Sequence, residues 1–251
     1  IFDSGYSYTY SDMDGRTTIV TKAAELSYQR GVSTFTAAGN EGNNSWGYII
    51  APADGFGTIA VGAVDESGNY AGFSSRGPTS DGRIKPEVVA HGVNTFGAVA
   101  GTITGYRFAN GTSAATPVAS GVAALLLSAH QHLKNTQIRS ILLETSSNSV
   151  NPNNQIGYGI ISAKEAIEFP NLENINNSFV LHKTIFEQGV DPQSVKLFYG
   201  YDDVIIPDVV MNKDDDYNYS ITFPQFIVGE NVTFYFTFTD SSNNNYRYPL
   251  S

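Results

Sequence analysis

Two short segments constrain the fold most. Val32–Ala38 (VSTFTAA) and Thr58–Val64 (TIAVGAV) are continuous β-branched and small apolar runs with no polar alternation. A strand with one wet face alternates, so uninterrupted runs indicate strands covered on both sides, as in a parallel sheet between helices. Helical patterns accompany them. Arg16–Arg30 places Ile19, Ala23 and Leu26 at helical spacing and stops at Gly31. Ala114–His132 is rich in Ala and Leu, and Thr136–Glu144 carries Ile138, Ile141 and Leu142 on one face. Alternation of this kind predicts an α/β domain with a mostly parallel sheet and helices on both faces.

The pattern changes near Pro170. Residues 1–170 carry 13 acids and 10 bases, whereas residues 171–251 carry 11 acids and 4 bases and are rich in Asn. Val195–Tyr201, Val204–Met211, Tyr217–Phe223 and Val232–Thr239 are aromatic and β-branched runs separated by Asp, Asn, Gly and Pro. Two domains are therefore expected: residues 1–170, and a small all-β sandwich of immunoglobulin or fibronectin type over 171–251.

A net charge of -10 argues against nucleic acid or an anionic membrane as partner. The absence of Cys removes disulfides, thiolate catalysis and thiolate zinc sites. The longest apolar stretch, Gly121–Ala129, falls short of the roughly 20 residues of a membrane span, so none is expected. The start at Ile1 rather than Met is read as a processed or trimmed piece of a longer product.

The chemistry concentrates in two glycine-bounded segments. In Ala37–Gly42 (AAGNEG) a buried strand ends at Gly39 and puts Asn40 at its carboxyl end, where open α/β sheets place ligands and where an amide can donate to an oxyanion. In Gly111–Leu126 (GTSAATPVASGVAALL) Gly and Thr lead into Ser113, and a helix of small residues begins at once, with Pro117 tolerable in its first turns. A serine there sits among unpaired N–H groups that favour negative charge, as acyl transfer to a hydroxyl requires. Ala114, Ala115, Ala119 and Gly121 should let this helix lie buried against the sheet.

Together these segments resemble the subtilisin-like serine proteases, the subtilases. GTSAATPVASG is similar to that family's nucleophile motif and AAGNEG to its oxyanion-hole motif. Phe73–Gly92 is similar to the segment joining them, and Tyr158–Ala166 to the last strand and helix of the domain, so the likeness runs over about Tyr6–Phe169. The resemblance implies a serine endopeptidase working through an acyl-enzyme, with Ser113 as nucleophile. Asn40 and the Ser113 backbone N–H would form the oxyanion hole, Thr112 assisting, and Ala37, Ala38 and Gly39 would flank the substrate residue on the acyl side of the cut. It implies a peptide or protein substrate and a secreted bacterial enzyme. No organic cofactor is implied; structural calcium is common in the family, but no ligand set can be assembled here, and Asp214–Asp216 reads as a hairpin turn.

The triad Asp and His of the family lie in earlier elements, and no similar motif occurs in this chain. His91, His130, His132 and His182 lie in segments unsuited to face Ser113. Asp3-Ser4-Gly5 matches the family's short Asp motif, but the 36 residues between it and Asn40 leave no room for the histidine-bearing elements, so Asp3 is read as surface loop. The isolated chain is therefore expected to have little or no peptidase activity, with a missing amino-terminal segment, in cis or as a separate chain, supplying Asp and His. The alternative is an inactive subtilase-like binding module. A truncated sheet would also expose an edge and favour self-association.

Overall fold

The structure, a computed structural model, describes residues 7–176, 178–201, 204–223 and 232–249. Asp3-Ser4-Gly5 lies outside the described residues. The chain divides into two compact units, 1–167 and 168–251.

The first unit contains α1 (Ile19–Gln29), β1 (Phe35–Ala37), β2 (Ile59–Val64), β3 (Val88–His91), β4 (Thr95–Ala98), β5 (Tyr106–Ala109), α2 (Thr112–Ala129), α3 (Asn135–Glu144) and α4 (Ala163–Glu168). Strands β1, β2 and β3 form a parallel sheet in that order, with Ala37 opposite Val61 and Val64 opposite His91. All six residues of β2 are buried, as its unbroken apolar run requires. Strand β1 is shorter than the Val32–Ala38 run and only half-buried; among the described residues it pairs with β2 alone, and its other edge has no strand beside it. The short VVA run after Pro86 supplies β3, which periodicity did not single out.

Helix α1 is capped by the Thr18 side chain, which accepts from Thr21 N. Buried Asp54 anchors it by accepting from Thr21 Oγ1 at 2.6 Å and from Gly15 N at 2.8 Å. Its apolar stripe faces outward: Ile19, Ala23 and Leu26 are exposed and Thr21 is the buried residue. The long helix α2 departs further from expectation. It is uncharged over 18 residues, yet only Thr112, Ala115, Ala119, Ala123 and Leu126 are buried, and Val118, Gly121, Leu125 and Leu127 face solvent. By length and composition alone α2 as a whole is long and apolar enough to cross a membrane, a test that the core helix of a water-soluble domain also passes. The one buried stripe is the face packed on β1, β2 and β3. A groove of about 590 Å³ between β1, α2 and α3 is lined by Val32, Phe35, Ala123, Ala124, Leu127 and Ile138.

A helix apolar all round is stable in water only when covered. We therefore expect the isolated chain to self-associate through α2 and the edge of β1 that is unpaired among the described residues, where no charge need be desolvated. Light scattering should give at least a dimer, and Leu125→Glu with Leu127→Glu should shift it towards monomer. A monodisperse monomer of the unaltered chain would contradict this.

Within the first unit a buried ionic network fixes the entry to β3. Lys85 is buried, and its Nζ donates to Glu87 Oε1 at 2.7 Å and to the carbonyls of Gly55 and Thr58. Glu87 also accepts from Arg139 at 2.8 Å and, through Oε2, from Ala60 N at 2.8 Å, so one carboxylate joins β2, β3 and α3.

The second unit contains β6 (Asn171–Ile175), β7 (Ser178–Thr184), β8 (Lys196–Tyr201), β9 (Val204–Ile205), β10 (Val209–Val210), β11 (Asn212–Lys213), β12 (Asn218–Phe223), β13 (Val232–Thr239) and β14 (Asn245–Tyr248). They form two antiparallel sheets, β10-β8-β13-β14 and β11-β12-β7-β6, with β9 paired to β8. Buried residues of both sheets, among them Leu181, Leu197, Tyr219, Phe236 and Phe238, belong to one core. The Val204–Met211 run breaks into β9 and β10 because Pro207 between them has no N–H for a ladder. Asp214–Asp216 lies in the turn between β11 and β12, where Asp215 accepts from Tyr217 N and Asn218 N. Hydrogen bonds from the Asn218 side chain and the Tyr217 amide hold the Asp215 carboxyl below its ordinary pKa.

Candidate active site

Strand β1 ends at Ala37, and the chain turns through buried Ala38 and Gly39 to exposed Asn40. Gly39 has φ +114°, a region L side chains rarely enter. A Cβ there would also fall 2.7 Å from Ser75 Oγ and 3.0 Å from Ile50 Cγ1, so only glycine suits the position. The turn is pinned by Ile50 N donating to Ala38 O and Ser75 N to Gly39 O.

Seventy-two residues later, Thr112 begins α2 directly beside Asn40. Thr112 N donates to Asn40 Oδ1 at 2.9 Å, Thr112 Oγ1 donates to the same oxygen at 3.1 Å, and Gly39 N donates to Thr112 Oγ1 at 3.2 Å. Gly111, at φ +148°, precedes the helix, and its N–H donates to Gly92 O at the end of β3. The place a Cβ would occupy on Gly111 is 3.0 Å from Ser113 Oγ and 3.3 Å from Asn40 Nδ2. The exposed hydroxyl and the exposed carboxamide therefore border one small opening.

The helix start completes the picture. Of the N–H groups in the first turn, that of Thr112 goes to Asn40, and those of Ala114 and Ala115 go to Gly111 O. The Ser113 N–H has no hydrogen-bond partner among the described residues, so it is available, at the positive end of the helix, to a negative atom beside Ser113 Oγ. The Ser113 hydroxyl, the Asn40 carboxamide and the Ser113 N–H lie at one lip of the sheet, an arrangement able to hold a tetrahedral oxyanion.

The histidines are elsewhere. His130 caps the far end of α2, about 25 Å from Ser113 for an 18-residue helix, and its Nε2 lies 2.9 Å from Ile167 O. His132 follows it, at 6.0 Å between rings. His182 pairs with Glu173 in the second unit. His91 ends β3 next to Gly92, whose Cα faces Ala63 and Ala115 on the α2 side; alternation along the strand turns His91 to the opposite face.

Comparison with known proteins decides the family. The model described as the subtilase family, Peptidase_S8, matches residues 4–159. The chain belongs to the subtilase family. Subtilisin DY of Bacillus licheniformis is 36% identical over 152 residues, covering 60% of this chain and 52% of that protein. Alkaline elastase YaB of Bacillus sp. (strain YaB) is 39% identical over 136 residues, covering 54% of this chain and 33% of the relative. Among solved structures, the prenylagaramide maturation protease PagA superposes with a TM-score of 0.50 at 29% identity, covering 59% and 54% of the two chains. This subtilase chain thus spans about half the length, or less, of these relatives.

Sequence reasoning missed two contributors to the site. One is Gly111 as the empty side of the opening, for which a glycine two residues before Ser113 was the available signal. The other is the Gly92 carbonyl, which moors Gly111 to β3 and which nothing in the sequence marks. Gly111→Ala is expected to fill the opening and to strain the backbone by on the order of 1–3 kcal/mol. If Ser113 is a nucleophile, its labelling by a fluorophosphonate in a protein with the complete subtilase domain should then drop severely; an unchanged labelling rate would show the opening to be irrelevant.

Proposed function

We propose that this chain is the nucleophile-bearing part of a subtilisin-like serine endopeptidase, residues 1–170, followed by a β-sandwich accessory domain, residues 171–251. The observation that carries the reading is the common opening shared by Ser113 Oγ and Asn40 Nδ2. Ser113 Oγ attacks a peptide carbonyl carbon while its proton passes to a histidine supplied from outside this chain. The carbonyl oxygen takes the negative charge and is held by Asn40 Nδ2 and Ser113 N. Collapse breaks the C–N bond, the amine leaves with the proton, and water hydrolyses the acyl-enzyme. The substrate residue on the acyl side would run along Ala37, Ala38 and Gly39.

The uncovered faces support the same reading. The outward stripe of α2, the free edge of β1 and the groove between them are where further strands and helices of a subtilase domain would pack, bringing Asp and His to Ser113. The charge-poor lining of that groove suits polypeptide rather than a polar ligand. A second reading, an inactive subtilase-like binding module, keeps the same geometry without a base. We infer export by family resemblance and acidic surface, and an immunoglobulin-like sandwich from two antiparallel sheets with one core.

The test is peptide hydrolysis. The pure 251-residue chain should show little or no Ser113-dependent turnover, and the whole protease, or the chain mixed with a polypeptide bearing the missing Asp and His, should show it. Robust Ser113-dependent turnover by the chain alone would refute the need for an external base. A whole protein that remains inert favours the binding module.

A further inference from the structure

We infer that the hairpin of β4 and β5 is an accessory docking surface for the amine side of the substrate, holding apolar or aromatic residues three to five positions beyond the cut. The inference rests on the peptidase reading above and gives a role to the segment between Gly92 and Gly111, which that reading leaves unused.

The hairpin is an excursion between two residues at the opening. It leaves β3 after Gly92 and returns at Gly111, and the Gly111 N–H donates to Gly92 O, so its base is closed at the opening itself. Asn94 N, donating to Asn110 Oδ1 at 2.6 Å, braces the same base. The sheet order β1-β2-β3 sets the direction. An acyl side lying along Ala37, Ala38 and Gly39, at the end of β1, leaves the amine side to run out past the end of β3, where the hairpin stands. Strand residues advance about 3.3 Å each, so Phe108 lies at most about 10 Å and Tyr106 about 17 Å from Gly111. An extended substrate advances by the same step, which brings positions three to five beyond the cut alongside these rings.

The hairpin suits an apolar guest. Phe96 opposes Phe108 and Ala98 opposes Tyr106, so the three rings share one face. Phe96, Tyr106 and Phe108 are 61%, 63% and 67% exposed, yet the Phe96 ring stacks on Tyr106 at 5.3 Å and lies tilted 5.2 Å from Phe108. A guest therefore meets rings already ordered by one another, and little side-chain freedom remains to be lost on binding. The face is also uncharged. With His neutral, the one charged side chain between Glu87 and Lys134 is Arg107, which pairs with Gly97 and so belongs to the other face of the hairpin, in a chain that carries 24 acids. A contiguous, carboxylate-free aromatic face joined to a cleft for polypeptide is a mark of an interaction site, which singly scattered apolar residues are not.

The test has a binding arm that needs no activity. A fluorescein-labelled octapeptide with Phe at its third to fifth residues should bind the 251-residue chain, read as anisotropy, at least about tenfold more tightly than the same peptide with Ser there. Phe96→Ser with Phe108→Ser should bring the two peptides to the same affinity, and Phe96→Leu with Phe108→Leu should restore most of the difference. Equal affinities in the unaltered chain, or a preference that survives the Ser variant, would overturn the inference. Two other results would do the same: a Ser variant of lower mass by light scattering with neither peptide bound, which gives the face to a second copy, or capture by phosphatidylcholine vesicles with neither peptide bound, which gives it to a lipid surface.

The second arm ties the face to the cut. In a protein with the complete subtilase domain, the ratio of kcat/KM between a quenched peptide with Phe three to five positions beyond the cut and its Ser counterpart should be about ten, falling to about one in the Ser variant. The ratio cancels any general loss of activity. Turnover without discrimination in the unaltered protein would overturn the inference alone, whereas no Ser113-dependent turnover of either peptide would bring down the peptidase reading and the inference with it.

Discussion

On the proposed reading, changing Ser113 to Ala in a complete subtilase carrying this chain is expected to lower kcat by about 10⁶, and changing Asn40 to Ala by about 10²–10³, magnitudes carried over from subtilisins themselves. The asymmetry follows from what each group does. Without the hydroxyl no acyl-enzyme forms, whereas without the carboxamide the oxyanion still has the Ser113 N–H, which has no other partner among the described residues. If Asn40 meets the carbonyl oxygen only once it becomes charged, as proposed, the loss should fall on kcat with KM little changed. Asn40→Asp should be no better than Ala, since a carboxylate accepts rather than donates and would repel the intermediate. Steady-state kinetics on one peptide substrate measure all three. A rise in KM at constant kcat for Asn40→Ala would mean that the residue binds substrate and does not stabilise the intermediate.

The second large effect is on stability. Glu87→Gln is expected to destabilise the first unit by about 3–5 kcal/mol, because it strands the Lys85 ammonium in the interior. Set against total stabilities of about 5–15 kcal/mol, that is enough to move the denaturant midpoint far. Burial already pushes the Lys85 pKa below the ordinary lysine value, with Glu87 opposing the shift. The sign of the pH dependence follows. The unfolded chain holds the Lys85 proton more tightly than the folded one, so this site's contribution rises with pH between the folded pKa and the ordinary value near 10.4. Removing Glu87 lowers the folded pKa further, so the variant should regain part of its loss as the pH is raised. Lys85→Met combined with Glu87→Leu, which removes both charges, should be milder than Glu87→Gln alone. Equal losses would place the cost in packing rather than in the unpaired charge.

The site was more legible than its surroundings. Asn40, Thr112 and Ser113 stand in short segments whose local geometry the sequence dictates: a buried run ending in glycine, and a glycine-threonine-serine entry to a helix of small residues. The Asp run at Asp214–Asp216 was equally readable, because side chains that accept from the next amides make turns wherever they occur. What failed were inferences from apolarity to burial. The α2 sequence speaks for a covered helix, but cover depends on what else is present, and here a single stripe packs on the sheet. Strand β1 falls short of its apolar run for the same reason, since among the described residues no strand pairs with the outer edge that would lengthen the ladder. Strands β6 (NLENI) and β7 (SFVLHKT) escaped notice because their alternation is blurred by polar residues, with Lys183 and Thr184 buried at the end of β7. The hairpin of β4 and β5 was hidden differently: Phe96, Tyr106 and Phe108 are exposed, with Phe96 stacked on Tyr106 and tilted against Phe108, so no buried face imposes a period on the sequence. Lys85 gave a fainter signal, a Lys-Pro-Glu inside the otherwise apolar IKPEVVA, where charges flanking a strand imply pairing.

The central claim is that Ser113 Oγ and the Asn40 carboxamide work on the same carbonyl. It is tested most directly by labelling the whole protease with a fluorophosphonate, mapping the adduct by mass spectrometry and repeating the rate measurement with Asn40→Ala. The account predicts one adduct, on Ser113, formed at least about 10² more slowly without the carboxamide. An adduct on another serine, or a rate indifferent to Asn40, would contradict it.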